Sequence, residues 1–285
     1  MMKSNCGISI ITPSYNMLEY LKRCAVSIAD QEGEGFEHIV VDGASTDGTW
    51  EWLQQTSYLH MRSISEQDNG IYDAINKGFK LAKGNILAYL NCDEQYLPGT
   101  LGFVKDYFER HPHVDIIFGD LLLIRPDGSL VAFRKGYQPR WFYIITSHLY
   151  VLSCTMFFRR KIMENGFFFD TRFQTTGDAD FVVRVLRRGY RARHVKRYMA
   201  AFTMTGKNLS NVETGIREQK QLRNSAPLYL RAMRLPVNAL RFAEKFLSGA
   251  YFQKKPLEYS VYVQGEAEER KLFSVNNASF RWRFE

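Results

Sequence analysis

Two adjacent carboxylates, Asp93 and Glu94, follow the apolar run Ile86-Leu87-Ala88-Tyr89-Leu90 in the stretch Asn91-Cys92-Asp93-Glu94. Charge at the end of a buried strand is costly unless something compensates it. At the carboxyl edge of an α/β sheet the usual compensation is a divalent cation that carries a phosphate. Mg2+ or Mn2+ suits oxygen donors there, because either ion keeps waters and takes further ligands from substrate phosphates. The chemistry implied is that of an enzyme acting on a nucleotide-activated substrate. Cys92 has no partner at zinc-ligand spacing and is not read as a metal ligand.

The elements that must position this pair alternate strand and helix. Gly7–Thr12 reads as a buried strand, and Pro13-Ser14-Tyr15-Asn16 as a turn. Leu18, Leu21, Ala25 and Ile28 then recur at helical spacing, with Asn16 and Glu19 placed as a capping pair. Glu37–Asp42 is a second strand, Arg62–Glu66 a third and Ile86–Leu90 a fourth, with a helix over Ile71–Ala82. Pro98 suits the first position of the next helix. Such alternation predicts an α/β fold with a mostly parallel central sheet flanked by helices. Strands are also expected over Val114–Gly119, Gly128–Phe133 and Thr155–Arg159, and a helix over Asp178–Arg188. From Val212 to Leu247 the chain reads as basic helices broken near Pro227 and Pro236, and Ala278–Phe284 alternates like a strand.

The first strand–helix junction lacks G-x-G-x-x-G and G-x-x-x-x-G-K-[ST]. Phosphates therefore need a counter-charge other than a helix start, and a metal at Asp93 supplies one. The 285 residues carry a formal net charge of +8, which favours anionic partners such as nucleotides, polyphosphates or anionic lipid. The four cysteines show no CxxC pairing, as expected for free thiols in a reducing compartment. The N-terminal residues do not read as a signal peptide, and no run approaches the length of a membrane span. A cytoplasmic location is expected, with peripheral contact on the inner face of the membrane as an option.

Ile8–Asn16, Val40–Thr49, Asp68–Gly78 and Leu90–Glu94 together resemble the family 2 glycosyltransferases of bacterial polysaccharide and O-antigen synthesis. Each motif alone is weak, but the four in this order are specific, and the likeness runs from about residue 7 to residue 210. It implies the GT-A fold: a Rossmann-like nucleotide-sugar half (1–97), an acceptor half (98–211), and a helical and short β extension (212–285). It implies inverting transfer of a sugar from a nucleotide-diphospho-sugar, UDP or dTDP favoured, to a hydroxyl of a glycan or polyprenyl-diphosphate-linked acceptor.

The resemblance also implies roles. Thr12, Pro13 and Tyr15 would line the base pocket, and Asp42 would accept the ring N–H of a pyrimidine. Asp68 would sit near the nucleoside, and Asn91 and Cys92 along the donor. Asp93 would hold the metal and diphosphate, with Glu94 a candidate second ligand. Asp42 is also suited to capping its own loop, and Asp68 to an ordinary Asp-Asn-Gly turn. Tyr72, Asp73, Asn76 and Lys77 share one helix and could be plain i,i+4 pairs.

The base would come from Gly177-Asp178-Ala179-Asp180, with Asp178 taking the acceptor proton and Asp180 as backup; Gly177 stands where relatives usually carry Glu. An aspartate there is equally a common helix cap. The helix start would keep Asp178 ionised and limit its basicity. Ser153–Arg160 resembles the strand beneath the acceptor, with His148 the nearest histidine, and Met204–Ser210 the loop that closes over donor phosphates, where Lys207 could reach the diphosphate. Arginines and lysines interleaved with apolar residues over 212–255 suit either a membrane-surface helix or a packed or dimer-forming hairpin. Two other classes compete: a sugar nucleotidyltransferase, which would need a Gly-rich first loop that Thr12–Asn16 is not, and a non-catalytic nucleotide-sugar-binding homologue. Nucleic-acid binding would explain the charge but not the acidic motifs.

Overall fold

The structure is a computed structural model that describes residues 7–33, 35–206 and 212–281. The first half runs β1 (Ile8–Ser14), α1 (Leu18–Ala29), β2 (Phe36–Asp42), α2 (Thr49–Gln55), β3 (Met61–Ser65), α3 (Ile71–Leu81), β4 (Ile86–Tyr89), β5 (Glu94–Tyr96) and α4 (Thr100–Arg110). It continues through β6 (Ile116–Ile124), β7 (Leu130–Arg134), α5 (Trp141–Thr146), a 3-10 turn (Ser153–Thr155), β8 (Phe157–Arg159), α6 (Lys161–Glu164), α7 (Gly177–Arg187) and β9 (Ala192–Thr203). The remainder is α8 (Val212–Asn224), α9 (Leu228–Ala232), α10 (Arg234–Leu247), β10 (Leu257–Val263) and β11 (Glu266–Val275).

Nine strands form one sheet in the order β3-β2-β1-β4-β8-β6-β9-β5, with β7 paired to β6. β1, β2, β3 and β4 run parallel, and β6 and β9 run parallel to each other. The short β8 is antiparallel to both neighbours and joins the two halves. Every residue of β1 is buried, as it must be for a central strand covered on both faces, which is why its sequence is a run and not an alternation. One face packs Ile11, Tyr89 and Phe158 against α3, α5 and α7; the other packs Ile10, Ala88 and Phe157 against α1 and α4. Register aligns Ser14 with Asp42 and Asp42 with Ser65, so the carboxyl ends of three strands share one edge.

The hairpin β10–β11 is not a free tail. Leu257, Tyr259 and Val261 pack on Leu122 and Phe133 of the main sheet. Gln95 exchanges two hydrogen bonds with the Tyr262 backbone at 2.9 and 2.8 Å.

Several expectations are corrected. The helix after β5 begins at Thr100 behind Gly99 in the left-handed region (φ 69°), and Pro98 lies before it. Asn16 does not cap α1: it turns back at φ 51° to accept the Thr46 amide, and Asp47 bonds the Leu18 amide instead. The expected break near Pro236 is present at Met233, between α9 and α10, and Pro236 itself falls in the first turn of α10, where its missing N–H costs nothing. Within the described residues 278–281 are not strand, and the second strand of the hairpin is 266–275. Among the described residues, no helix is long and apolar enough to cross a membrane.

Candidate active site

β4 stops at Tyr89, and a tight turn follows in which the Glu94 amide donates to the Asn91 carbonyl at 3.0 Å. Glu94 folds back and its Oε2 accepts the Asn91 amide at 2.7 Å. Its carboxyl is buried at 3 % exposure, and desolvation and the Asp93 charge push its pKa up. Glu94 therefore points inward, while Asp93 stays partly accessible. The Thr203 amide fixes the Asp93 carbonyl at 2.8 Å, tying the turn to β9. Asn91 Oδ1 is buried with no hydrogen-bond partner, an unsatisfied acceptor beside Asp93. Cys92 donates to the Pro13 carbonyl at 3.2 Å, and burial pushes its thiol up to about 12, so it stays protonated. Among the described residues no three His, Cys, Asp or Glu side chains converge as a ready metal cage. Asp93 carboxylate and Asn91 carbonyl oxygens are hard donors, and they fit an ion that completes its shell from waters and phosphates.

The carboxyl edge of β1 and β2 forms the neighbouring wall. Thr12 is fully buried and its Oγ1 meets His38 Nε2 at 2.9 Å, so it belongs to the core beneath the wall. Asp42 is also fully buried, and its carboxylate is taken up by the Ser45 amide and the hydroxyls of Ser45 and Ser65. Tyr15 lies at the surface at 63 % exposure, and Asp68 is half-buried. A Cβ on Gly43 would stand 2.6 Å from Asp68 Oδ2 and 3.4 Å from the Tyr15 ring. The absence of a side chain at 43 is what lets Asp68 lean over the end of β2. Asp68 Oδ1 accepts the Gly70 amide at 2.8 Å, as a turn aspartate does, and leaves Oδ2 on the Gly43 side.

On the opposite wall Asp178 is the second residue of α7. It does not cap the helix; its Oδ1 accepts the Ala179 amide at 2.8 Å. Burial raises its pKa to about 6, against the opposing pull of Ala179, Ser153 and Tyr72. Of the expectation, the limited basicity is corrected: desolvation outweighs the helix start and makes the carboxylate more basic, while at neutral pH it is still ionised. Asp180 pairs with Arg184 at 2.6 Å, and Arg184 also donates to the Phe168 carbonyl. The Asp178 amide donates to Tyr72 Oη at 3.3 Å, and the Tyr72 ring stacks on Phe169 at 5.4 Å between centroids. Gly177 is required here, because a Cβ would lie 2.7 Å from that ring.

The two walls meet through Tyr89, Ser153 and Cys154. The Ser153 hydroxyl faces both Asp178 and Tyr89, and Cys154 lies beside Glu94 and Asp93. Glu94 feels the charges of both Asp93 and Asp178. Of the α3 residues, Asn76 bridges the halves by exchanging bonds with the Phe169 backbone at 2.8 and 3.0 Å. Lys77 instead pairs with Glu66 at 2.9 Å and lies 3.6 Å from Asp73.

Glu218 of α8 escapes sequence reasoning altogether. It is buried, and its carboxylate accepts the amides of Gln174, Thr175 and Thr176 at 2.8, 3.0 and 3.0 Å, as well as both threonine hydroxyls. Those bonds hold the segment that enters α7 just before Asp178, and against the desolvation they keep the Glu218 pKa low. Residues 207–210 of the expected closing loop, Lys207 included, lie outside the described residues.

The family model for glycosyl transferase family 2 matches residues 9–167. The PGL/p-HBAD biosynthesis glycosyltransferase of Mycobacterium tuberculosis is 29 % identical over 188 residues, covering 62 % of this chain and 68 % of that protein. Staphylococcus aureus TarS 1-349, solved with UDP-GlcNAc, superposes with a TM-score of 0.62 at 15 % identity, covering 96 % of this chain and 100 % of the other. The mannosyltransferase PcManGT of Pyrobaculum calidifontis, solved with GDP-Man and Mn2+, gives 0.57 at 20 % identity over 85 % of this chain and 75 % of the other. At these identities the structures speak to fold alone. The curled, mostly parallel sheet is the GT-A arrangement of these neighbours.

Proposed function

We propose that this chain, which belongs to glycosyl transferase family 2 and is a glycosyltransferase, moves a sugar with inversion from a nucleotide-diphospho-sugar to a hydroxyl of a glycan or lipid-linked oligosaccharide in surface polysaccharide synthesis. The observation that supports this reading is that Asp178, held at the first turn of α7 beside Tyr72, lies near enough to the Asn91–Glu94 turn for its charge to act on Glu94. The neighbours solved with UDP-GlcNAc and GDP-Man support a nucleotide-sugar donor. The catalytic unit is taken to run to residue 211, with 212–285 buttressing it.

Asp93 and Asn91 Oδ1 would hold Mg2+ or Mn2+, which when bound neutralises charge on the departing diphosphate. Tyr15 is the stacking surface for the base over Pro13, and Asp68 Oδ2, above Gly43, is the better-placed acceptor for a pyrimidine N–H. Asp42 shapes the loop beneath them. Glu94, buried and turned onto the Asn91 amide, sets the shape of the metal-side turn. Asp178 takes the proton from the acceptor hydroxyl as the bond to the anomeric carbon forms. Tyr72, Ser153 and Ala179 orient that carboxylate, and Glu218 holds the segment from which it projects. The helices over 212–255 are the part suited to peripheral membrane contact.

A thermal-shift screen of UDP-, dTDP- and GDP-sugars with Mn2+, followed by product analysis with the donor that binds, tests the reading. Stabilisation by a nucleotide sugar and release of the nucleoside diphosphate are expected. Release of pyrophosphate from a nucleoside triphosphate and sugar phosphate would favour a nucleotidyltransferase instead.

A further inference from the structure

Exposed apolar side chains are not scattered over this molecule. Of fourteen large hydrophobic residues exposed among the described residues, nine lie between Leu228 and Phe252. Leu235 and Leu247 are each 83 % exposed. A surface that meets only water rarely gathers apolar groups in this way. α8 is different: Glu218, Leu222 and Thr214 bury it against the catalytic body, so the open face belongs to α9 and α10.

That face has a charged margin. Residues 228–247 contain Arg231, Arg234, Arg241 and Lys245 against one carboxylate, Glu244. Glu244 is already engaged by Arg140 at 2.9 Å. Neither Arg241 nor Lys245 forms an ion pair with a carboxylate among the described residues. Helical spacing puts Arg234, Arg241 and Lys245 on one flank, beside the stripe of Leu235, Phe242 and Phe246. Arg241 is buried at 5 % exposure and donates to Tyr137 Oη at 3.1 Å, which pins α10 to the body. Arg231 and Arg234 are exposed, and Lys245 is half-buried beside Arg134 and Arg241, so that desolvation, and then those charges, lower its pKa. Uncompensated cations bordering an apolar helix face match an anionic lipid interface, with phosphates above and acyl chains below.

We propose that α9 and α10 form a membrane-docking face for an anionic bilayer. Arg231, Arg234 and Lys245 engage headgroup phosphates, and Phe242, Phe246 and Leu247 enter the acyl boundary. α10 packs on α5, and α5 on α7, whose first turn carries Asp178. Docking there sets the acceptor side of the molecule towards the bilayer. That consequence rests on the lipid-linked acceptor proposed above, whereas the docking itself does not.

Co-sedimentation of the full chain with phosphatidylcholine vesicles, with and without phosphatidylglycerol, tests this in the absence of donor and acceptor. Binding to the anionic vesicles is expected, and it should weaken as salt rises. Arg231→Glu with Arg234→Glu should weaken it by at least about tenfold. Phe242→Ser with Phe246→Ser should abolish it even at low salt. Both variants should keep the wild-type melting temperature and nucleotide binding, which separates lost docking from lost folding. Transfer to a water-soluble acceptor should also survive in both, so a failure of the proposed reaction is read independently. No binding to either vesicle, equal binding to both, or a solution dimer that the same substitutions dissociate would overturn the proposal.

Discussion

The Tyr72 ring lies 2.7 Å from where a Cβ on Gly177 would stand, and its hydroxyl accepts the amide of the next residue, Asp178. A residue on α3 thus fixes the first turn of α7, which carries the proposed base. The glycine at 177 is the condition for that contact.

Gly177→Ala should therefore displace Tyr72 or the start of α7. We expect a cost of about 1–3 kcal/mol in stability and a fall in kcat of roughly tenfold or more from the displaced base. In a Tyr72→Ala background the same substitution should cost much less. A double-mutant cycle on melting temperature and kcat measures the difference; additive effects would mean the contact does not matter.

Asp178 has its pKa raised to about 6 from an ordinary 3.8, chiefly by burial. As a base it must be ionised, so kcat/KM should rise with pH and level off above about 6, falling by about tenfold per unit below it. The same shift sets stability. A carboxyl whose folded pKa is raised favours folding in its protonated form, so its contribution is full below its ordinary pKa and lost as pH climbs through about 6. Asp178→Asn removes that loss. It should raise stability at pH 7.5 by roughly 1–3 kcal/mol and leave it nearly unchanged at pH 3.5, as thermal melts at the two pH values would show.

Glu218→Gln leaves the fold of α8 in place but weakens the grip on residues 174–176. The expected signature is a several-fold lower kcat with the donor KM near wild type, because the donor wall does not touch this residue. Glu218→Ala, which orphans three amides, should be worse, by about 1–3 kcal/mol in stability. A matching rise in donor KM would place the effect elsewhere.

Removing the metal should act on the nucleotide. With EDTA, or in Asp93→Ala with Mn2+ present, calorimetry should show nucleotide diphosphate binding weakened by about tenfold or more. Identical affinity with and without EDTA would remove the metal from this site.

Much of the donor half was legible in the sequence, because β1, β2 and β4 are runs of buried apolar residues ended by turns with strong local chemistry. Asp93 and Asp178 came forward as candidates because each sits at an element end, in a short motif that resembles the family's. What stayed hidden depends on contacts distant in the chain. β9 mixes charged and apolar residues at its start and is absent from the expected strands, since its strand pairing comes from β6, far away in the chain. The inward turn of Glu94 follows from its bond to Asn91 and the pressure of the sheet around it, and its sequence neighbours do not announce it. Glu218 lies 40 residues beyond Asp178, on a helix with no motif, and only the fold brings it against residues 174–176.

Asp178 as the base opposite the Asn91–Glu94 turn is tested most directly by two assays on Asp178→Asn at pH 7.5: transfer, and nucleotide-sugar binding with Mn2+. We predict a loss of transfer of about a thousandfold or more with donor affinity within about twofold of wild type. Turnover near the wild-type rate, or loss of donor binding in step with activity, would contradict the assignment.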